Sequence, residues 1–390
     1  ALSIISLLGT SINSIVFGFM AATGFLSMWV SNTAAVMMML PIGTAIVYQV
    51  TQELNKTEGD HSDEIDKFSK SLIFGVGYGG TIGGLGTLIG TPPNIILAAI
   101  VNELFGIEIS FASWMMFAFP VVVSLLVIGW VMLTRFIYPI KFAKLPGGRA
   151  LIRKEKEALG KISFEEKAVL GVFLFAAFFW ITRSFLWQGQ ILTIPGINDT
   201  MIAITAAVAL FLIPSPNKGG CLLGWDVAKD VPWGILLLFG GGLAIAAVFG
   251  SSGLASWIGG QMSVLEGVNF LLVILLATGM VLFLTEITSN TATATMILPV
   301  LASLALALNI HPFVLMVPAA MAANCAFMLP VGTPPNAIIF ATGKIKIIEM
   351  VRNGFWLNII AMFLIVAAVY FLLPVLWGVD LTTYPDAFRD

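Results

Sequence analysis

The residues best suited to chemistry are uncharged, and they occur as two matching sets. One set reads Ser31-Asn32-Thr33 followed by Gly90-Thr91-Pro92-Pro93-Asn94. The other reads Ser289-Asn290-Thr291 followed by Gly332-Thr333-Pro334-Pro335-Asn336. Two different strings repeated in the same order constitute an internal repeat. Hydroxyl and amide oxygens can ligate a hard cation such as sodium, while hydroxyls and amide N–H groups can donate to an anion. Paired prolines break the helical ladder, and the glycine beside them permits unusual backbone angles. A helix broken inside a membrane leaves about four backbone groups unpaired at each end, which is tolerated where the ends line a cavity. Amino-terminal ends carry roughly half a positive charge and favour carboxylates. Neither set contains Arg or Lys, so an anion held there needs helix ends, neutral donors and co-bound cations to balance it. The pattern points to coupled binding of a cation and an anion.

These strings lie in very apolar sequence. Of the 390 residues, 58% are hydrophobic and 10% charged, and the mean hydropathy is +0.99. A soluble domain carries about 25% charged residues. Several apolar runs approach the roughly 20 residues that cross a bilayer as a helix. The fold class expected is an all-α polytopic membrane protein. The runs do not alternate residue by residue, which excludes a transmembrane β-barrel. A net charge of −2 gives no electrostatic basis for nucleic-acid binding. Cys221 and Cys325 match no metal or redox spacing and are expected to pack in the core. With no ligand cluster and no nucleophile–base motif, the chain does not read as an enzyme.

In chain order, the expected organisation is a first repeat over 1–138, an amphipathic surface helix over 139–164 and scaffold helices over 165–254. A second repeat over 255–378 and a tail over 379–390 complete it. Each repeat has a re-entrant helical hairpin at Ser-Asn-Thr, a broken transmembrane helix at Pro-Pro and a plain span. The surface segment carries Lys141, Lys144, Arg149, Arg153, Lys154, Lys156 and Lys161 among apolar residues, as an interfacial helix does. Every Lys and Arg other than Arg135, Arg183 and Arg389 falls in 52–70, 140–167, 214–230 or 343–353. Placing those four loops on the inner side requires one crossing per broken helix and gives the two hairpins opposite orientations. Inverted repeats with interrupted helices are the sequence pointer to a secondary transporter with its site at the midplane. Candidate spans at 165–187, 199–213 and 231–250 precede the second hairpin, but nothing comparable precedes the first. N-terminal helices are therefore expected to be missing ahead of Ala1.

The paired Ser-Asn-Thr and Gly-Thr-Pro-Pro-Asn strings resemble the divalent anion:sodium symporter family, the sodium-coupled dicarboxylate and citrate transporters. The resemblance extends in order over nearly the whole chain. It implies two sodium sites related by the repeat, ligated largely through backbone oxygens. One would use Ser27, Ser31, Asn32 and Gly90, the other Thr285, Thr288, Asn290 and Gly332. Substrate carboxylates would meet Asn32, Thr33, Thr91, Ser289, Asn290, Thr291 and Thr333, with Pro92 and Pro334 close by. The resemblance further implies a homodimer, an elevator-like motion and residence in a bacterial inner membrane. Succinate, malate, fumarate, citrate and sulfate all remain open as the anion, and exchange or proton coupling remains open beside sodium symport.

Several other features have simpler readings. Ser, Asn and Thr are common helix N-caps. The glycines from Gly75 to Gly86, and Gly240-Gly241-Gly242, fit close helix packing better than a nucleotide loop. Glu286 in apolar sequence either tunes a cation or a proton, or bonds to backbone at the hairpin. Arg183 is expected to snorkel to the interface.

Overall fold

The computed structural model describes residues 11–54, 60–140, 160–187, 196–217, 219–229, 233–253, Trp257 and 269–388. Among them are fourteen α-helices and a single isolated β-bridge between Pro214 and Cys221. Five helical stretches are long and apolar enough to cross a membrane: Asn32–Gln52, Phe111–Ile137, Phe164–Trp187, Asn290–Ala307 and Ile347–Trp377.

The first hairpin is α1 (Ile12–Ser27) and α2 (Asn32–Leu54). The first broken helix is α3 (Ser62–Gly84) and α4 (Pro92–Phe105), followed by α5 (Phe111–Val131). Then come α6 (Phe164–Thr182), α7 (Asp199–Leu212), the short α8 (Trp225–Ala228) and α9 (Trp233–Ser251). The second hairpin is α10 (Phe270–Thr285) and α11 (Asn290–Ala307). The second broken helix is α12 (Phe313–Asn324) and α13 (Pro334–Phe340), followed by α14 (Ile347–Trp377). Local signals set the ends. Ser11, Ser110 and Asn198 each cap a helix by accepting a backbone N–H bond. Pro92 and Pro334 occupy first helical positions, where proline's missing N–H costs nothing. Gly106 and Gly378 close α4 and α14 at φ +64°, a conformation that glycine adopts without strain. α14 begins at Ile347, where Glu349 accepts a bond from the Lys346 N–H and caps the start.

α1 lies against α3 with the backbones nearly touching. A Cβ at Gly79 would sit 2.5 Å from the Met20 carbonyl, and one at Gly83 would sit 2.1 Å from the Gly24 carbonyl. The close-packing reading of that glycine run holds here. At Gly240 and Gly241 no described atom comes within 4 Å of such a Cβ, while at Gly242 it would meet Thr295. The two repeats also interlock. α13 packs on α2 and α3, α11 and α12 pack on α4, and α14 packs on α5. Each break is therefore walled by the opposite repeat.

Two expectations need correction. Arg183 does not snorkel: its side chain is 1% exposed and lies 2.7 Å from Glu108 and 2.8 Å from Asp199. The α7 amino terminus and the α4–α5 turn bring those carboxylates to it, so pairing replaces solvation. Cys325 is buried as expected, but Cys221 is exposed on the 214–230 loop. That loop is tied to α6 by Glu165, which accepts from Ser215 and twice from Asn217. Most of the expected surface helix, 141–159, lies outside the described residues.

Candidate functional site

At both hairpin turns, the last residue of the entering helix is hydroxylic and bonds to the asparagine that opens the returning helix. Ser27 Oγ donates to Asn32 Oδ1 at 2.6 Å, and Thr285 Oγ1 donates to Asn290 Oδ1 at 2.6 Å. The same hydroxyls lie 2.5 Å from the Gly80 carbonyl and 2.8 Å from the Ala323 carbonyl. One hydroxyl supplies one proton, so each cluster pairs two acceptors with a single donor. These clusters sit at the carboxyl ends of α1 and α10, where the helix dipole is negative. Surplus oxygen lone pairs at a negative helix end suit a cation. The two carbonyl contributors, Gly80 and Ala323, have no side-chain signature that sequence reading could have found.

The breaks are held by a second matched pair. Asn94 Nδ2 donates to the carbonyls of Gly84, Leu85 and Thr87 at 3.1, 3.4 and 2.8 Å. Asn336 Nδ2 donates to those of Ala326 and Leu329, each at 2.9 Å. Gly90 must be glycine for space, since a Cβ there would lie 2.4 Å from the Gly84 carbonyl. At Gly332 the same atom would come within 3.3 Å of both Ala326 and Glu286.

Between the hairpin turns and the breaks lies a cavity of about 600 Å³. Ser31, Asn32, Thr33, Gly90, Thr91, Pro92, Ser289, Asn290, Thr291, Gly332, Thr333 and Pro334 all line it. Of the expected site residues, only Ser27, Thr285 and Thr288 do not. Ser27 and Thr285 are buried within the oxygen clusters. Thr288 turns onto its own hairpin, donating to the Leu284 carbonyl and pairing with Thr293. The N-cap reading holds in part: Ser31 accepts from the Ala34 N–H and Thr333 from the Asn336 N–H, both at 3.3 Å. Ser289 and Thr91 make no such cap bond.

Among the described residues, no acidic or basic side chain lines the cavity. Asn32, Pro92, Asn290 and Pro334, the first residues of α2, α4, α11 and α13, all border it. Four helix amino termini thus border one cavity, an arrangement that favours an anion. Among the described residues, no three His, Cys, Asp or Glu side chains gather as a metal site. Any cation held here is held by neutral oxygens.

Sequence reading missed three lining residues of note. Gly234 and Leu238 of α9 form an apolar wall with nothing in the sequence to mark it. Asn324, the last residue of α12, accepts from Thr91 Oγ1 at 2.7 Å. Its only signal was an amide in the apolar run ahead of the second proline string. Glu286 bonds to backbone: its carboxylate accepts from the N–H groups of Phe327, Met328 and Leu329 at 2.8–3.1 Å, and from Asn358 Nδ2 at 2.6 Å.

Membrane-length helices, together with two matched broken helices around one cavity, define a multi-span membrane protein of the secondary-transporter class. A family model described as the sodium:sulfate symporter transmembrane region matches residues 1–379, and the chain belongs to that family. It is 55% identical over 386 residues to the sodium-dependent dicarboxylate transporter SdcS of Staphylococcus saprophyticus, covering 98% of this chain and 73% of the relative. The Staphylococcus aureus protein of the same name is 52% identical over 385 residues, with the same coverage.

Proposed function

We propose that this protein is a sodium-coupled dicarboxylate carrier of a bacterial plasma membrane. The single observation that carries the reading is the separation of helix ends by sign. Amino termini face the cavity, and carboxyl termini hold oxygen clusters just beneath it. A dianion and its cations would thereby compensate one another without any basic side chain. Sodium is the cation proposed, at Ser27, Ser31, Asn32 and Gly90 in one half and at Thr285, Thr288, Asn290 and Gly332 in the other. The Gly80 and Ala323 carbonyls join the two sets. Both staphylococcal relatives carry sodium and dicarboxylate in their names. Two donor groups, one from each half of the chain, Asn32, Thr33 and Thr91 with Ser289, Asn290, Thr291 and Thr333, suit a ligand with two anionic ends better than a single tetrahedral sulfate. Four-carbon dicarboxylates such as succinate, malate and fumarate head the list, with citrate next.

The motion proposed is of the elevator type. The interlocked repeats, 1–138 and 255–378, would move as one body against 165–254. The contact of small Gly234 and apolar Leu238 with the cavity suits a sliding wall. Assembly as a homodimer rests on the resemblance alone.

The test is succinate uptake into proteoliposomes of the full-length protein under an inward sodium gradient, with potassium in its place, or with internal succinate. Uptake should require sodium, and Asn32→Ala and Asn290→Ala should each reduce it more than tenfold while the protein still elutes as one species. Uptake driven by internal succinate regardless of sodium would replace symport with exchange. Normal uptake by both variants would remove the site assignment.

A further inference from the structure

Asn324 is fully buried, yet it borders the cavity and belongs to the second repeat while bonding only to groups of the first. Its Nδ2 donates to the Thr81 carbonyl at 2.8 Å. A carbonyl only accepts, so this bond fixes which end of the amide is nitrogen. Its Oδ1 consequently faces the first repeat, where it accepts from Thr91 Oγ1 at 2.7 Å and from Asn32 Nδ2 at 3.5 Å. The chain of consequence runs one residue further. With Nδ2 of Asn32 turned toward Asn324, Oδ1 of Asn32 must point into the Ser27–Gly80 oxygen cluster. A flipped Asn32 would place an NH2 group there and repel a cation. Among the described contacts, Asn290 in the other half makes no bond of this kind.

We propose that Asn324 is the positioning residue that couples the two repeats. It holds Asn32 with its oxygen toward the first cation and Thr91 with its hydroxyl proton toward the second repeat, so that sodium binding at one half-site depends on the other repeat. This rests on the sodium-coupled reading above and assigns a role to a residue outside both repeated motifs. The coupling is one-sided. Loss of Asn324 weakens the first cation site and leaves the Thr285–Asn290–Ala323 cluster intact. Asp at this position keeps the acceptor for Asn32 and Thr91, gives up the bond to the Thr81 carbonyl, and adds negative charge at the wall of an anion chamber. Ala removes the acceptor. The two substitutions therefore act on different ligands.

The experiment measures uptake by the full-length protein in proteoliposomes as a function of sodium at saturating succinate, and of succinate at saturating sodium. Asn324→Ala should raise the sodium concentration for half-maximal uptake at least fivefold and flatten its cooperativity, with the succinate KM within about twofold. Asn324→Asp should raise the succinate KM at least fivefold without raising the sodium requirement. Sodium-dependent stabilisation of the purified protein against heating, without substrate, supplies a second readout. The shift should shrink in Asn324→Ala and persist in Asn324→Asp. If Asn324→Ala does not elute as a single species, Asn324→Ser, whose hydroxyl falls short of Asn32, takes its place with the same expectation. Equal losses of maximal rate in both variants, with unaltered sodium and succinate dependence, would reduce Asn324 to a packing residue and overturn the proposal. Unaltered protein that takes up succinate without regard to sodium would overturn the underlying reading instead.

Discussion

In the first half of the molecule, α3 stays helical to Gly84, and its exit is pressed against the backbone of α1 at Gly79 and Gly83. In the second half, α12 stops at Asn324 and the chain runs without regular structure to Thr333. The N–H groups of Phe327, Met328 and Leu329 are left without helical partners there, and the Glu286 carboxylate accepts all three. Glu286 follows Thr285 at the hairpin turn; in the first hairpin the residue following Ser27 is Met28, whose carbonyl accepts from Thr87 Oγ1. Gly354 of α14 makes room for the unwound backbone, since a Cβ there would lie 2.2 Å from the Phe327 carbonyl. In the first break the N–H groups of Leu85 and Gly86 turn back onto the carbonyls of Ile82 and Gly83, beside a helix contact that only glycine allows; in the second, a buried carboxyl group takes up the freed N–H groups. Sequence symmetry in the motifs therefore does not extend to what supports them, and the half-sites need not respond alike to damage or to cations.

The largest effect is expected where packing is tightest. Gly83→Leu should leave no folded protein, because the obstruction is the Gly24 backbone and not a movable side chain. Gly84 and Ala326 lie equally far before Asn94 and Asn336, so Cys325 stands where Gly83 does. Cys325→Ala should cost only about 1 kcal/mol. Detergent-solubilised yield and thermal unfolding would compare the pair; equal tolerance would show that the halves are packed alike.

Glu286→Ala comes next. It strands three backbone donors, each costing about 1–3 kcal/mol when unsatisfied, whereas Met28→Ala removes only apolar contacts. Glu286→Gln keeps an acceptor oxygen without the charge. If the carboxylate serves mainly to close the break, Gln should restore the folded state that Ala loses and should support measurable uptake. Unchanged stability in Glu286→Ala would mean that water closes the second break.

Much of this was legible in the sequence because neutral polar strings stand out in apolar surroundings. Ser-Asn-Thr and Gly-Thr-Pro-Pro-Asn marked both turns and both breaks, and prolines at first helical positions marked where α4 and α13 resume. What stayed hidden has three physical causes. Backbone ligands such as the Gly80 and Ala323 carbonyls exist at every residue and announce nothing. Partners distant in sequence, such as Glu108 and Asp199 for Arg183, meet only after folding, so a buried ion pair looked like a snorkelling cation. Glycine is ambiguous: Gly83 sits against backbone while Gly240 has no described neighbour within 4 Å of its Cβ position, and the residue type is the same. Asn324 combines the last two difficulties, being one amide in an apolar helix whose partners all lie in the other repeat.

The smallest and sharpest contrast concerns the two asparagines that close the proline strings. Asn94 gathers three carbonyls and Asn336 two. Both are fully buried. A full bond contributes about 1 kcal/mol net, and the two protons of the Asn94 amide are shared among its three contacts, so Asn94→Ala should destabilise the protein more than Asn336→Ala does, by less than about 1 kcal/mol. The second break has another support, since Glu286 holds Leu329 from its N–H side while Asn336 holds it from its carbonyl side. Combining Glu286→Gln with Asn336→Ala should therefore cost more than the sum of the single changes, because the same backbone loses both restraints. The corresponding pair Met28→Ala and Asn94→Ala should be additive, as Met28 reaches the first break only through its backbone carbonyl. Thermal unfolding of the four single and two double variants measures both coupling terms. Equal coupling in the two halves would mean that Glu286 and Met28 are interchangeable supports, and the asymmetry between the breaks would be one of composition alone.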